Sequence, residues 1–192
     1  MLRKKTIFVI AAIVLCSTLL VGFTTKESQP SQEATNPSEK KESLLAEVDT
    51  ETLDGDPFTF EDITQNKLTM INVWATWCPP CVAELPELQA LSEAYAEQGV
   101  EVIGVLADSI WEVGEQDDDA IAAGKKLLEN AEASYRVLIP DAVLQGTLIN
   151  LMDGFPTTFF FDADGEFVDA VVGSDSFEGW SEVLDEILEK MD

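Results

Sequence analysis

Histidine is absent from all 192 residues. That excludes Cys–His and Ser–His–Asp catalysis, histidine-bound zinc and histidine-ligated haem. Cysteine is scarce: only Cys16, Cys78 and Cys81 occur, and Cys16 lies in an apolar N-terminal stretch. Three such cysteines cannot make a four-thiolate metal site, and with one plausible intramolecular pair there is no disulfide scaffold. Bases are few, 11 against 37 acids. Arg3, Lys4 and Lys5 are three of them, and the other eight against all 37 acids leave residues 26–192 at −29. Nucleic acid is not an expected partner, because phosphate binding needs clustered Lys and Arg. No internal repeat is visible. What is present is apolar content, 46% of residues, enough to bury the core of one ordinary domain.

Residues 1–25 carry a targeting pattern. Met-Leu-Arg-Lys-Lys precedes an uncharged stretch from Thr6 to Thr25, dense in Ile, Val, Leu and Ala from Ile7 to Val21. Bases ahead of an apolar run stay cytoplasmic, and about 20 residues at ~1.5 Å each span a hydrocarbon core of ~30 Å. No Ala-x-Ala cleavage site follows, so the expectation is a single-pass signal anchor with the rest of the chain extracytoplasmic. Secretion after cleavage is the alternative. Leu15 is too large to precede a lipidated cysteine, and Cys16 reads as a small apolar helix residue. Residues 26–48, rich in Ser, Gln, Glu, Lys, Pro and Thr, bury too little to offset the entropy of ordering and read as a flexible linker. The folded domain is expected over residues 49–192.

Within it, Thr52 to Phe60 reads as a hairpin turning at Asp54-Gly55. Leu68 to Trp74 is a run of β-branched and large apolar residues, hence a buried strand. Pro79-Pro80 opens a helix, where missing N–H groups cost nothing, and Leu85, Leu88, Leu91 and Tyr95 repeat at helical spacing up to Gly99. Val100 to Ala107 is a strand, and Asp117-Asp118-Asp119 leads a helix to about Ala133, its acids suiting the positive end of the dipole. Tyr135 to Ile139 is a short strand and Val143 to Leu151 a short helix. Thr157 to Phe161 and Glu166 to Val172 pair across Asp162-Ala163-Asp164-Gly165, which lacks the twelve-residue calcium loop. Phe177 to Met191 closes the chain as an amphipathic helix. Strands alternating with helices, then a hairpin and a helix, define an α/β domain with a mixed sheet.

The chemistry sits at the junction of strand and helix. Cys78 falls at the helix start, where free N–H groups and the dipole favour thiolate over thiol. Cys81 lies one turn further in and stays protonated until needed. A Cys78 thiolate can attack a disulfide, and Cys81 can resolve the mixed disulfide. A static bridge across so short a loop would stabilise little.

Asn72-Val73-Trp74-Ala75-Thr76-Trp77-Cys78-Pro79-Pro80-Cys81 resembles the signature of the thioredoxin superfamily, specifically the membrane-tethered TlpA/ResA-type thiol–disulfide reductases. The likeness covers roughly residues 50–190, and Gly154-Phe155-Pro156-Thr157 is similar to the family's cis-proline position. It implies a thioredoxin fold, a central mixed sheet flanked by helices with an extra N-terminal β-hairpin. The implied redox pair is Cys78 and Cys81, with Trp77, Pro79, Phe155, Pro156 and Thr157 bordering a substrate groove. Asn72 stands where cytosolic thioredoxins carry a buried aspartate, and Glu84, on the helix face of Cys81, is the implied proton handler. Glu87 reads as surface and Trp74 as core; Trp111 and Trp180 carry no functional signal. The implied partners are protein disulfides, apocytochromes c among them, and a membrane thiol donor, with no metal or other cofactor. A thiol oxidase usually has a histidine between its cysteines and a larger helical insertion, both missing here. A thiol oxidase that introduces disulfides stays an alternative, as does a non-catalytic binding module of the same fold. A peroxidase would want Pro-x-x-x-Thr ahead of its cysteine, which does not precede Cys78.

Overall fold

The structure is a computed structural model that describes residues 43–112 and 114–191. In chain order its elements are β1 (Asp49–Glu51), β2 (Pro57–Thr59), α1 (Phe60–Thr64), β3 (Leu68–Trp74), α2 (Pro79–Tyr95), β4 (Val100–Leu106), β5 (Ile110–Glu112) and β6 (Glu115–Gln116). They continue with α3 (Asp118–Asn130), β7 (Val137–Leu138), α4 (Ala142–Thr147), β8 (Thr157–Asp162), β9 (Phe167–Val172) and α5 (Phe177–Met191). The expected anchor at residues 1–25, and the linker as far as residue 42, lie outside the described residues. No helix among the described residues is long and apolar enough to cross a membrane.

The main sheet has five strands in the order β7-β4-β3-β8-β9. Strands β3, β4 and β7 run parallel, whereas β8 and β9 run antiparallel to their neighbours. This is the mixed sheet expected. All seven residues of β3 are buried, because it has a layer on each face. Leu68, Met70 and Trp74 pack with Leu85, Leu88 and Leu91 of α2 and with Trp180, Leu184 and Ile187 of α5. Ile71 and Val73 face the opposite layer, with Phe58, Ile63, Leu144 and Leu148. Strand alternation thus puts Asn72 on the α2/α5 face, beside Thr158 across the antiparallel ladder. Helix α2 runs from Pro79 and Pro80 at its first positions to a single 3-10 turn, closed by Gly99 at φ 79°. The phenol of Tyr95 on α2 donates to Asp185 on α5 at 2.9 Å, tying these helices together.

Several boundaries differ from the sequence expectations. Leu45 and Val48 are buried in the second core layer and Ser43 bonds the Gly165 carbonyl, so residues 43–48 belong to the domain rather than the linker. The apolar Leu44, Leu45, Ala46 and Val48 mark this change in the sequence itself. The first hairpin starts at Asp49, because Thr52 closes the turn itself: its Oγ1 accepts from Asp54 and Asp56 N–H, both at 3.2 Å. Helix α1 and the β5–β6 hairpin were not foreseen. Both are too short to show periodicity. The strand expected at Tyr135–Ile139 shrinks to β7, and the helix expected at Val143–Leu151 divides into α4 and a 3-10 turn, Ile149–Leu151. Asp162 caps its own turn, accepting from Asp164 and Glu166 N–H at 2.9 Å each.

Candidate active site

Strand β3 ends at the buried Trp74, and four residues later Cys78 caps α2 with extended backbone, φ −97° and ψ 101°. Proline at each of the next two positions removes the donors that would normally point at a cap. The first remaining amide is that of Cys81, and it donates to Cys78 Sγ at 3.4 Å. Cys78 and Cys81 are joined as a disulfide, and both are buried. On reduction, the Cys81 N–H and the helix dipole would both act on a Cys78 thiolate.

The loop ahead of Cys78 is held by a residue that sequence reasoning missed. Thr76 donates its N–H to both carboxylate oxygens of Asp108, at 3.2 and 3.1 Å, and its hydroxyl to the same group. Asp108 follows the adjacent parallel strand β4. Its only sequence signal was a carboxylate just past a strand end, which is too weak to single it out.

The second half of the site comes from the turn before β8. The Phe155–Pro156 peptide bond is cis, as the resemblance implied. Phe155 is half-buried and meets the exposed Trp77 edge-on, ring centroids 5.2 Å apart, so the turn and the cysteine loop adjoin. Pro79 is exposed and Pro156 buried. Thr157 is placed differently from expectation: it is buried, and its hydroxyl donates to Gly154 O at 2.7 Å. Its side chain braces the turn and does not reach the rim.

Glu84 lies one turn beyond Cys81 and is 2% exposed. Its Oε1 accepts from the Asp175 amide at 2.9 Å and from the Trp180 indole at 2.6 Å. Its Oε2 accepts from Asn72 Nδ2 at 3.2 Å. Burial pushes the Glu84 pKa above the ordinary carboxylate value; the three donors pull it back without cancelling that, and the charge of Asp175 adds to the rise. Glu87 is not a free surface residue either. It is half-buried and accepts from the Phe177 amide at 3.0 Å. Two glutamates of α2 therefore hold the start of α5. Trp180, read as uninformative from sequence, is fully buried and makes the shortest bond to Glu84. Nothing local could have signalled this, since the two residues lie 96 positions apart. No group of three or more candidate metal ligands occurs among the described residues.

This geometry places two disulfide-linked sulfurs and a buried carboxyl along one turn and a half of helix, beside an aromatic rim. Comparison with known proteins agrees with it. The AhpC/TSA family matches residues 42–170. The chain is 29% identical over 191 residues to the thiol-disulfide oxidoreductase ResA of Bacillus thuringiensis subsp. konkukian, covering 97% of this chain and 99% of that protein. It is 36% identical over 122 residues to the thiol:disulfide interchange protein DsbE of Pseudomonas aeruginosa, covering 62% and 59%. Among solved structures, a thioredoxin-family thiol:disulfide interchange protein from Chlorobium tepidum TLS superimposes with a TM-score of 0.60 at 24% identity, covering 79% of this chain and 99% of that one. The chain belongs to the AhpC/TSA family, as a thioredoxin-fold thiol–disulfide oxidoreductase of the ResA type.

Proposed function

We propose that this oxidoreductase works outside the cytoplasm, tethered by residues 1–25, and that it reduces protein disulfides. The observation that carries the reading is Cys78 at the cap of α2, with Cys81 and the buried Glu84 following on the same helix. In the reduced enzyme the Cys78 thiolate attacks a substrate disulfide. One substrate sulfur becomes bonded to Cys78 and the other leaves as a thiolate that takes up a proton. Cys81 then gives its proton to the Glu84 carboxylate and, as thiolate, attacks Cys78 Sγ. The Cys78–Cys81 disulfide forms, the second substrate thiol is released, and two electrons have passed to the substrate. Glu84 returns its proton to water, and a membrane thiol donor re-reduces the pair. Trp77, Pro79 and Phe155 form the apolar rim against which a polypeptide segment docks, with Pro156 and Thr157 supporting it. ResA-type resemblance makes apocytochromes c the favoured substrates.

The test is a Cys81→Ser trap in the native membrane. Cys78 should accumulate joined to its physiological partner, and an empty trap would overturn the exchange mechanism. Direction is tested by potential: a value of about −270 mV fits a reductase, whereas about −120 mV means an oxidase.

A further inference from the structure

Asn72 stands where an aspartate would take a proton, and an amide cannot do that. Its contacts point to another role. Neutral Glu84 must carry its proton on one of two oxygens. Oε1 is closed to it, because both its partners, the Asp175 amide and the Trp180 indole, can only donate. The proton therefore belongs on Oε2. The group facing Oε2 is Asn72 Nδ2 at 3.2 Å, also only a donor, so in this orientation a protonated Oε2 would meet a second donor. The other end of the same amide, Asn72 Oδ1, is buried and has no hydrogen-bond partner. Nδ2 also donates to Thr158 Oγ1 at 3.0 Å, and a hydroxyl can either accept or donate.

We infer that Asn72 is a positioning residue whose side-chain amide turns over with the protonation of Glu84. With Glu84 ionised, Nδ2 donates to Oε2 and to Thr158 Oγ1. With Glu84 neutral, a half-turn brings Oδ1 into the same place, where its two lone pairs accept from the Glu84 O–H and from the rotated Thr158 hydroxyl. The proton handler thus has a matched neighbour in both states of the resolving step. An amide can do this, whereas an ionised aspartate accepts only and an apolar residue does neither. The exchange stays inside the protein, since Asn72 is 1% exposed and Thr158 is 0% exposed. The titratable groups facing Glu84 are Cys81 on its own helix, Asp175 ahead of α5 and the buried Tyr135 ahead of β7.

The inference rests on Glu84 acting in the proposed reductase, but its test does not need turnover. The full chain, reduced with excess dithiothreitol and labelled at Glu carboxyl carbon and Asn side-chain nitrogen, is titrated by NMR. Above the Glu84 midpoint the Asn72 amide protons should show cross-relaxation to the Thr158 methyl. Below it that signal should vanish, and it should return on back-titration. A signal that persists across the titration overturns the inference, since a fixed donor would only change its shift. A second readout is Asn72→Asp, which supports neutral Glu84 alone. Its Glu84 midpoint, read at the same labelled carboxyl carbon, should lie at least one pH unit higher than in the wild type. A variant with the wild-type profile also overturns it. If the Cys81→Ser trap is empty while the amide turns, the reductase reading fails and this one stands.

Discussion

Replacing Trp180 by Phe isolates one hydrogen bond in the site and should do so in a pH-dependent way. The indole N–H donates to Glu84 Oε1 at 2.6 Å from a fully buried ring. Phenylalanine keeps one ring at Cβ, and loss of the outer benzo ring takes away packing worth about 1–2 kcal/mol. A hydrogen bond to an ionised carboxylate contributes about 1.5–3 kcal/mol, whereas one to a neutral carboxyl contributes about 0.5–1.5 kcal/mol. The variant should therefore lose about 2.5–5 kcal/mol where Glu84 is ionised and about 1.5–3.5 kcal/mol where it is neutral. The sign follows from linkage. Burial raises the folded pKa of Glu84 above its unfolded value, so the unfolded chain loses this proton first. Stability is full below the unfolded value and falls as pH rises through the folded one. Taking away a donor to the anion raises the folded value further and deepens that loss. Urea unfolding of oxidised wild type and Trp180→Phe, on both sides of the Glu84 titration, measures the difference. The variant should be about 1–1.5 kcal/mol worse on the alkaline side, and its Glu84 midpoint should move up by about one pH unit. An equal loss on both sides would refute the reasoning, leaving only a cavity.

Three further outcomes are expected. Gly104→Ala should cost about 1–3 kcal/mol in urea unfolding, because its Cβ would lie 2.9 Å from Val137 Cγ2 and 3.1 Å from Trp74 Nε1; unchanged stability would mean that β4 can shift there. Arg136 joins Asp62 on α1 to Glu101 on β4, so Arg136→Met should lose about 1–2 kcal/mol, and less in 1 M salt since the pairs are partly exposed. Trp77→Ala should leave stability within about 0.5 kcal/mol, as the ring is 64% exposed. It should raise KM for protein disulfides several-fold while sparing a small disulfide, and equal effects on both would remove Trp77 from the docking rim.

The redox pair and its scaffold were legible along the chain because each rests on local information. An unbroken apolar run makes β3, two prolines start α2, and Gly99 ends it. With those elements in order, Cys78 had to lie at a helix N-terminus and Cys81 one turn inside. Spacing alone also put Glu84 on the face of Cys81. What surrounds Glu84 was decided only by folding: Trp180 and Asp175 arrive from the far end of the chain, and Thr158 arrives across an antiparallel ladder. The same holds for Asp108, which reaches the cysteine loop from beyond the neighbouring parallel strand, and for Thr157, whose hydroxyl bonds back to the Gly154 carbonyl. Short segments such as α1, β5 and β6 carry no period to read, so only packing reveals them. Hydrophobic pattern and turn residues act over a few positions and therefore specify elements. Burial, donor geometry and a carboxyl's proton affinity depend on what distant segments bring together, and those properties belong to the tertiary structure.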